Sequence, residues 1–279
     1  MSFWLAASLF ALAAWSVQRL LSKVALATLG TRKFYLLSAT VSLVVYLPYL
    51  IWRPPAITEL LPAFGLACLM AVTFGVTTEA IRRGPLGAVS PITALSPALT
   101  ALLAIGLLSE RLPPIAYLGL AIAPVGIVLL SMRPKSRDRN GEAVWLALAI
   151  LSLILQGIGA FVAKVVVTPA GPSALLLMSA AVQVLVGLFL APSWRWRRQE
   201  LSGRPALLTL IGYGIAAVAT IGYLLALAQG PAAAIVPLVS TSPALAGLLG
   251  VSFLKEKTSR RQLAGIALAL AGAVLLAIP

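Results

Sequence analysis

The chain has 279 residues, of which 61% are hydrophobic and only 10% are charged, and its formal net charge is +14 at pH 7. Soluble domains carry about 25% charged residues, so this composition excludes an ordinary soluble protein and indicates one that lies in a lipid bilayer. Basic soluble proteins often bind nucleic acid. Here most basic residues lie in short links between apolar segments, where they set membrane orientation, so we expect contacts with membrane lipid and none with nucleic acid.

Apolar segments follow one another along the chain, each near the roughly 20 residues that a helix needs to cross a bilayer. Ten are predicted, at residues 3–21, 34–52, 60–81, 86–108, 112–132, 143–163, 173–191, 205–228, 232–254 and 259–278. Backbone polar groups in lipid must be satisfied within the segment, so these segments are helices. The first segment lacks the basic start of a secretory signal, so we expect it to be retained as a spanning helix.

A repeat divides the chain into two halves, because residues 84–130 align without a gap on residues 230–276. The matched positions include Pro91 with Pro237, Ser96 with Ser242, Pro97 with Pro243, Glu110 with Glu256, Gly119 with Gly265 and Gly126 with Gly272. We predict a first five-helix repeat at 1–133, a charged linker at 134–142 and a second five-helix repeat at 143–279. Because five is odd, the second repeat starts on the opposite side of the membrane. The predicted fold is therefore an all-α integral membrane protein, with ten transmembrane helices in two inverted five-helix repeats.

Two prolines interrupt the fourth predicted helix, Pro91 and Pro97, and two interrupt the ninth, Pro237 and Pro243. Each removes a backbone donor and obstructs the carbonyl one turn earlier, which bends a helix. Neighbouring hydroxyls satisfy the freed carbonyls in such membrane helices. Two interpretations stay open: the prolines only fit the helices to the bundle, or they also act as hinges of a gate beside a cavity.

Polar residues within the apolar segments are candidate substrate-binding residues, because their burial in lipid is costly. The candidates are Trp15, Gln18, Thr77, Thr78, Glu79, Ser90, Ser96, Gln156, Tyr213, Tyr223, Ser240 and Ser242. Aromatic rings and amides in a central cavity suit an amphipathic organic substrate. For each single serine or threonine the alternative is a hydrogen bond to its own helix or to a neighbouring one.

Glu79 is the one carboxylate that the sequence places within a predicted segment rather than in a turn. It either points into a cavity, where it binds a substrate ammonium group or a proton, or it pairs with a basic residue of its own helix. Arg82 and Arg83 follow at three and four residues, on neighbouring faces of that helix. Both hypotheses stay open.

The segments LSPALTALLAIGLLSERLPPIAYLGLAIAPVGIVLL and STSPALAGLLGVSFLKEKTSRRQLAGIALALAGAVLL share a pattern. Each combines a proline-bearing helix, a Glu-Arg or Glu-Lys turn and a glycine-spaced helix. This pattern resembles the EamA repeat of the drug/metabolite transporter superfamily. The resemblance implies a multi-pass carrier of the inner (plasma) membrane that works by alternating access. Typical members export amino acids, including aromatic ones as in YddG-like exporters, or other small metabolites. Glu79 departs from the family pattern, in which this position is usually aromatic or apolar.

Other classes of function fit the sequence less well. The chain has seven acidic residues and no histidine, and it lacks a Walker-type phosphate loop. We therefore expect no enzyme, no metal site, no cofactor and no ATP hydrolysis by this chain, and a small-molecule substrate as its partner. The open alternatives are a flippase or carrier for lipid-linked or nucleotide sugars, and a non-transporting membrane subunit.

Paired glycines and basic links bear on assembly and orientation. The glycines at 119 and 126, and at 265 and 272, are two helical turns apart, so the fifth and tenth helices pack closely against each other or against a second subunit. A monomer and a homodimer both stay open. Of the 21 Lys and Arg residues, 18 follow helices 1, 3, 5, 7 and 9. The positive-inside rule places those links in the cytoplasm and both termini outside.

Overall fold

A computed structural model describes residues 2–29, 31–83, 89, 92–131, 142–190, 203–254 and 259–278. Within these ranges the ordered elements are all helices, as the apolar pattern predicts. They are α1 (Phe3–Leu29), α2 (Thr31–Trp52), α3 (Ile57–Arg83), α4 (Ser96–Leu108), α5 (Pro114–Ser131), α6 (Glu142–Ala170), α7 (Ser173–Leu190), α8 (Arg204–Gln229), α9 (Ala232–Val239), α10 (Ser242–Leu254) and α11 (Arg260–Ala277). The prediction of an all-α membrane protein is confirmed.

The helices correspond to the predicted segments, with α9 and α10 forming two consecutive pieces of the ninth. Among the described residues, five stretches are long and apolar enough to cross a bilayer: Ile57–Thr77, Val144–Pro169, Ala206–Gln229, Ala232–Leu249 and Arg260–Ala277. Helices α2, α4, α5 and α7 contain shorter apolar stretches. The protein is therefore a multi-pass membrane protein by the length and composition of its helices.

Helix α1 runs antiparallel to α8 from the second half of the chain. Trp4 lies beside Gly230 at one end of the pair, where a Cβ on the glycine would come within 2.5 Å of the indole. Leu21 lies beside Gly212 towards the other end. Helices α3 and α6 also pair antiparallel, because Met70 lies beside Gly159 while Thr77 and Ser152, each about two turns away, share a hydrogen bond. Each of these pairs joins the two halves.

Helices α5 and α11 form a third antiparallel pair, which glycines bring into backbone contact. A Cβ built on Gly119 would lie 2.7 Å from the carbonyl oxygen of Gly272. One built on Gly126 would lie 2.7 Å from Cα of Ala269 and 2.8 Å from the carbonyl oxygen of Gly265. The glycine faces of the fifth and tenth segments thus pack against each other within one chain.

The repeated sequence Ser-Pro-Ala-Leu begins a helix in each half. Helix α4 starts at Ser96 and α10 at Ser242, so Pro97 and Pro243 stand in a first helical turn rather than inside a continuous helix as predicted. A first turn has no intrahelical partner for the missing N–H, and the fixed φ of proline suits it. The backbone turns just before each helix, which avoids the clash of a proline ring with the carbonyl one turn earlier.

The other two predicted hinge prolines have different positions. Pro237 lies inside α9, a short helix that is buried over its whole length. Pro91 lies outside the described residues, so its predicted role has no structural counterpart here. The ninth segment is described over its whole length, including the interruption between α9 and α10, which follows Pro237 by three residues. The fourth segment is described only in part.

The chain alternates between two ends of the bundle. The terminal face, as we name it, carries both chain ends and the short links 53–56, 109–113, 171–172 and 230–231, and the basic face is the opposite end. Helix α1 extends to Leu29 and not only to residue 21 as predicted, so Arg19, which was counted with the basic residues that follow the first helix, lies well inside it. Arg19 still lies in the half of α1 that is nearer the basic face, so the predicted asymmetry of charge is unchanged.

Cysteine labelling tests the predicted orientation. With Cys68 replaced by serine, a cysteine at Thr58 on the terminal face should react with an impermeant maleimide in intact cells, because the positive-inside rule places that face outside. A cysteine at Ser136, in the charged linker outside the described residues, should be protected until the cells are opened. Labelling of position 136 with protection of position 58 would show the opposite orientation.

Candidate functional site

A central cavity of about 620 Å³ lies between α1, α2, α3, α4, α6, α7, α8 and α9. Its aromatic, polar and charged lining residues are Trp15, Gln18, Arg19, Ser42, Tyr46, Ser96, Thr100, Gln156, Ser179, Gln183, Tyr213, Thr220, Tyr223 and Ser240. Between them lie apolar side chains such as Leu66 and Met70. The volume falls in the range of roughly 300–1,000 Å³ that is usual for small-molecule sites, and the mixed lining suits an amphipathic molecule.

Seven of the predicted substrate-binding residues line this cavity. They are Trp15, Gln18, Ser96, Gln156, Tyr213, Tyr223 and Ser240, and the predicted hinge residue Pro97 joins them. Thr77, Glu79 and Ser242 are described but do not line it. Ser90 lies outside the described residues, as does the side chain of Thr78.

Trp15 and Tyr223 form an aromatic wall of the cavity. Their ring centroids are 5.3 Å apart with an interplanar angle of 50°, a tilted arrangement that aromatic pairs favour. The indole N–H of Trp15 donates to the carbonyl oxygen of Ala216 at 3.3 Å. Both rings are therefore held in place by α8, and their faces and edges supply apolar surface to a ligand.

Gln156 is oriented by a hydrogen-bonded network between α3 and α6. Its Nε2 donates to Ser152 Oγ at 2.8 Å and to Thr77 Oγ1 at 3.4 Å. The Thr77 and Ser152 hydroxyls share a 2.6 Å hydrogen bond, and the Thr77 hydroxyl donates to the Thr73 carbonyl oxygen at 2.7 Å. Thr77 therefore positions a cavity residue without lining the cavity itself.

Hydroxyl groups join the starts of α4 and α10 to helices from the opposite half. Thr100 Oγ1 donates to the carbonyl oxygen of Gly157 at 2.9 Å. Ser16 Oγ donates to the carbonyl oxygen of Ser242 at 3.0 Å. Ser242 thus acts through its backbone and is buried. These bonds hold the two interrupted segments beside the cavity.

Glu79 lies near the end of α3, where it pairs with a residue of its own helix. Its Oε1 accepts a hydrogen bond from Arg83 Nε at 2.5 Å, and the side chains of Arg83 and Glu79 are 49% and 32% exposed. This geometry corresponds to the ion-pair hypothesis. It gives no support to the hypothesis that the carboxylate binds an ammonium group in the cavity.

For the transport that the resemblance implies, Glu79→Gln should therefore keep a rate within about twofold of the unmodified protein, because exposed ion pairs contribute little free energy. The measurement is the rate of transport into proteoliposomes at pH values from about 5.5 to about 8, an interval that contains physiological pH. Loss of transport with normal membrane insertion would assign Glu79 a direct role.

Glu110 binds the start of α9 at the terminal face. Its two carboxylate oxygens accept the backbone N–H groups of Ala232 at 2.9 Å and Ala233 at 2.8 Å. These donors have no partner within their own helix, and a negative charge at a helix N-terminus is favourable. The link between α4 and α5 is thereby held against a helix from the other half of the chain.

Lys164 of α6 binds the end of α8 beside Glu110. Its Nζ donates to the carbonyl oxygens of Leu227 at 2.6 Å and Gly230 at 2.7 Å, and Glu110 lies close enough to interact with it electrostatically. We name Glu110, Lys164 and residues 227–233 the closure cluster. This cluster joins the two halves of the chain at the terminal face, beside α9, which is buried over its whole length.

Both halves of the chain match a known protein family. The model of the EamA-like transporter family matches residues 2–132 and again residues 143–278. This chain belongs to the EamA-like transporter family. A protein of Sinorhizobium sp described as an uncharacterized transporter in the cobO 3′ region is 29% identical over 136 residues, which are 48% of this chain and 96% of that protein.

A solved crystal structure of a protein matches this EamA-like chain in its fold. The TM-score is 0.80 at 17% sequence identity, over 98% of this chain and 95% of that one. At this identity the likeness concerns the fold alone. It shows that the arrangement of helices found here also occurs in a crystal structure.

Several cavity residues of this EamA-like transporter were missed by the sequence analysis. Helix α2 contributes Ser42 and Tyr46, and α7 contributes Ser179 and Gln183. Both pairs have a spacing of four residues, which places two polar side chains on one helix face, so their spacing was a usable signal. Arg19 was counted only among the basic residues that follow the first helix, because it lies near the end of the apolar segment at residues 3–21.

Proposed function

We propose that this chain is a secondary transporter that exports small amphipathic metabolites, such as amino acids including aromatic ones, across the inner membrane. The observation that carries the proposal is the central cavity, which combines aromatic rings, amides and hydroxyls in a volume of about 620 Å³. A ligand with one apolar part and one polar part satisfies both kinds of lining. Membership of a transporter family supports the same function.

We infer alternating access from how the helices of the two halves pair. α1 lies against α8 and α10, while α6, the counterpart of α1 in the second half, lies against α3 and α4. Exchange of the two halves converts each set of contacts into the other. An inverted repeat provides this exchange, so one half takes the conformation of the other when the opening moves across the membrane.

The closure cluster supports the same mechanism. It joins parts of both halves at the terminal face, where Glu110 and Lys164 bind the ends of α9 and α8. In the sequence, Glu256 and Lys23 are the counterparts of these two residues, and the structure describes neither side chain. We propose that the closure cluster closes the terminal face in this conformation and opens during transport.

A substrate screen in proteoliposomes tests the proposed function. Purified protein is reconstituted into vesicles loaded with radiolabelled amino acids, amines, neutral amides or nucleotide sugars, and efflux is followed with and without an imposed pH gradient. We expect faster efflux of at least one amino acid than from protein-free vesicles. Efflux of nucleotide sugars alone would support the carrier alternative, and efflux of no compound from vesicles that contain folded protein would contradict the proposal.

A further inference from the structure

Arg19 is the charged residue that lines the central cavity among the described parts of the chain. Most of its surroundings are protein, yet its side chain remains exposed to the cavity. The acidic side chains that the structure describes are Glu59, Glu79 and Glu110, and each lies near a helix end without lining the cavity. The cavity therefore carries a positive charge, and no described acidic side chain in its lining balances it.

An ionisable residue within a membrane-spanning helix is expensive to bury and marks a functional site when it faces a cavity. A guanidinium group presents donors in a planar fork that matches a carboxylate, and the two bind through paired charge-assisted hydrogen bonds. Such an interaction strengthens when water is excluded around it.

The neighbours of Arg19 give the cavity a polar end and an aromatic end. Arg19 lies four residues beyond Trp15 on α1, about 6 Å along the helix axis and nearer the basic face. Tyr213 lies near Arg19, while Tyr223 lies against Trp15. Because α8 runs antiparallel to α1, Tyr213 lies at the end of the cavity that carries Arg19, and Tyr223 lies at the end that carries Trp15.

From this arrangement we propose that Arg19 binds the carboxylate of the transported molecule, while the Trp15–Tyr223 pair holds its apolar part. The substrate class is a small carboxylate whose apolar group lies a few ångströms from the charged group. This inference rests on the proposed function and deepens it, since it assigns a negative charge to the substrate group that the cavity binds. It also reverses the polarity of the sequence-based hypothesis for Glu79, in which a carboxylate of the protein binds an ammonium group of the substrate.

Binding of three matched probes tests the assignment. The probes are 3-phenylpropionate, its neutral isostere 3-phenylpropanamide and the cation phenethylamine, titrated calorimetrically into the full chain in lipid nanodiscs. The unmodified protein should bind the carboxylate on the order of tenfold more tightly than the amide, which is the effect of a hydrogen bond to a charged group. In Arg19→Gln the carboxylate and the amide should bind equally.

Two further variants complete the test. Arg53→Gln removes an exposed arginine that stacks on Trp52 at the terminal face, so it should keep the preference for the carboxylate. Arg19→Lys keeps the charge without the planar fork and should reduce the preference, which gives a readout if Arg19→Gln does not fold. Equal binding of amide and carboxylate by the unmodified protein, tighter binding of the amine, or binding of none of the probes would overturn the inference. The proteoliposome screen, which includes cationic and neutral compounds, decides the proposed function separately.

Discussion

Glu110→Ala should open the terminal face and reduce transport by on the order of 100-fold. The substitution leaves the N–H groups of Ala232 and Ala233 without their carboxylate acceptor at the start of a buried helix. Hydrogen bonds to charged groups contribute about 1.5–3 kcal/mol each. A loss of this size for two bonds shifts the balance between a closed and an open face by at least about two orders of magnitude.

Thiol accessibility measures this opening directly. In a Cys68→Ser background, a cysteine at Ala226, which is 0% exposed at the end of α8, should be unreactive while the closure cluster is intact. It should react with a small thiol reagent in Glu110→Ala. Glu110→Gln keeps one oxygen acceptor and should give an intermediate rate.

Glu59→Ala is the matched control. Glu59 also lies at the terminal face and accepts a backbone N–H, from Ala56 at 3.2 Å, but that hydrogen bond is exposed. Its removal should leave both transport and the reactivity of position 226 unchanged. Equal effects of the two substitutions would show that the closure cluster has no special role.

Gly126→Ala should destabilise the protein by lowering its melting temperature by about 5 °C or more. A Cβ at this position would meet the backbone of Ala269 and Gly265 on α11, and backbone atoms cannot move aside as a flexible side chain does. Forcing extra atoms into a close contact costs typically 1–3 kcal/mol, and each kcal/mol lowers the midpoint by about 2–4 °C in a chain of this size. The measurement is thermal unfolding of the purified protein in detergent.

Gly106→Ala provides the comparison for this prediction. Gly106 lies inside α4, and a Cβ built on it meets no atom within 4 Å. Alanine also favours a helix over glycine by about 1 kcal/mol, so the melting temperature should stay the same or rise slightly. Similar losses in the two variants would mean that the contact between α5 and α11 does not limit stability.

The helical architecture was predictable because a bilayer imposes one solution on an apolar segment of about 20 residues. The end of α1 was not, since the apolar segment predicted at residues 3–21 contains Arg19 but the helix continues to Leu29. The charge lies there because the helix face at Arg19 meets a cavity instead of lipid. A sequence shows that a residue is charged, but not whether the helix face that carries it is covered by lipid.

In the candidate site, too, some residues were predictable from the sequence and some contacts were not. Trp15 and Gln156 were identified from their polarity within apolar segments, and the structure places both in the lining of the cavity. The hydrogen bonds of Glu110 were not predictable, since the backbone N–H groups that donate to it lie 122 and 123 positions further along the chain. The repeat marked Glu110 as a shared position, whereas only the packing of α4, α5 and α9 shows what it binds.

The central claim is that the cavity lined by Trp15, Arg19 and Tyr223 is the route of transport. Ala160 of α6 lines the cavity, and Ala147 of the same helix is exposed. Counterflow of a substrate identified in the screen is measured in proteoliposomes with Ala160→Trp and with Ala147→Trp, after both variants are shown to be folded. The account predicts that the indole at position 160 fills the cavity and abolishes counterflow, while the indole at position 147 leaves it unchanged. Normal counterflow by Ala160→Trp would contradict the account.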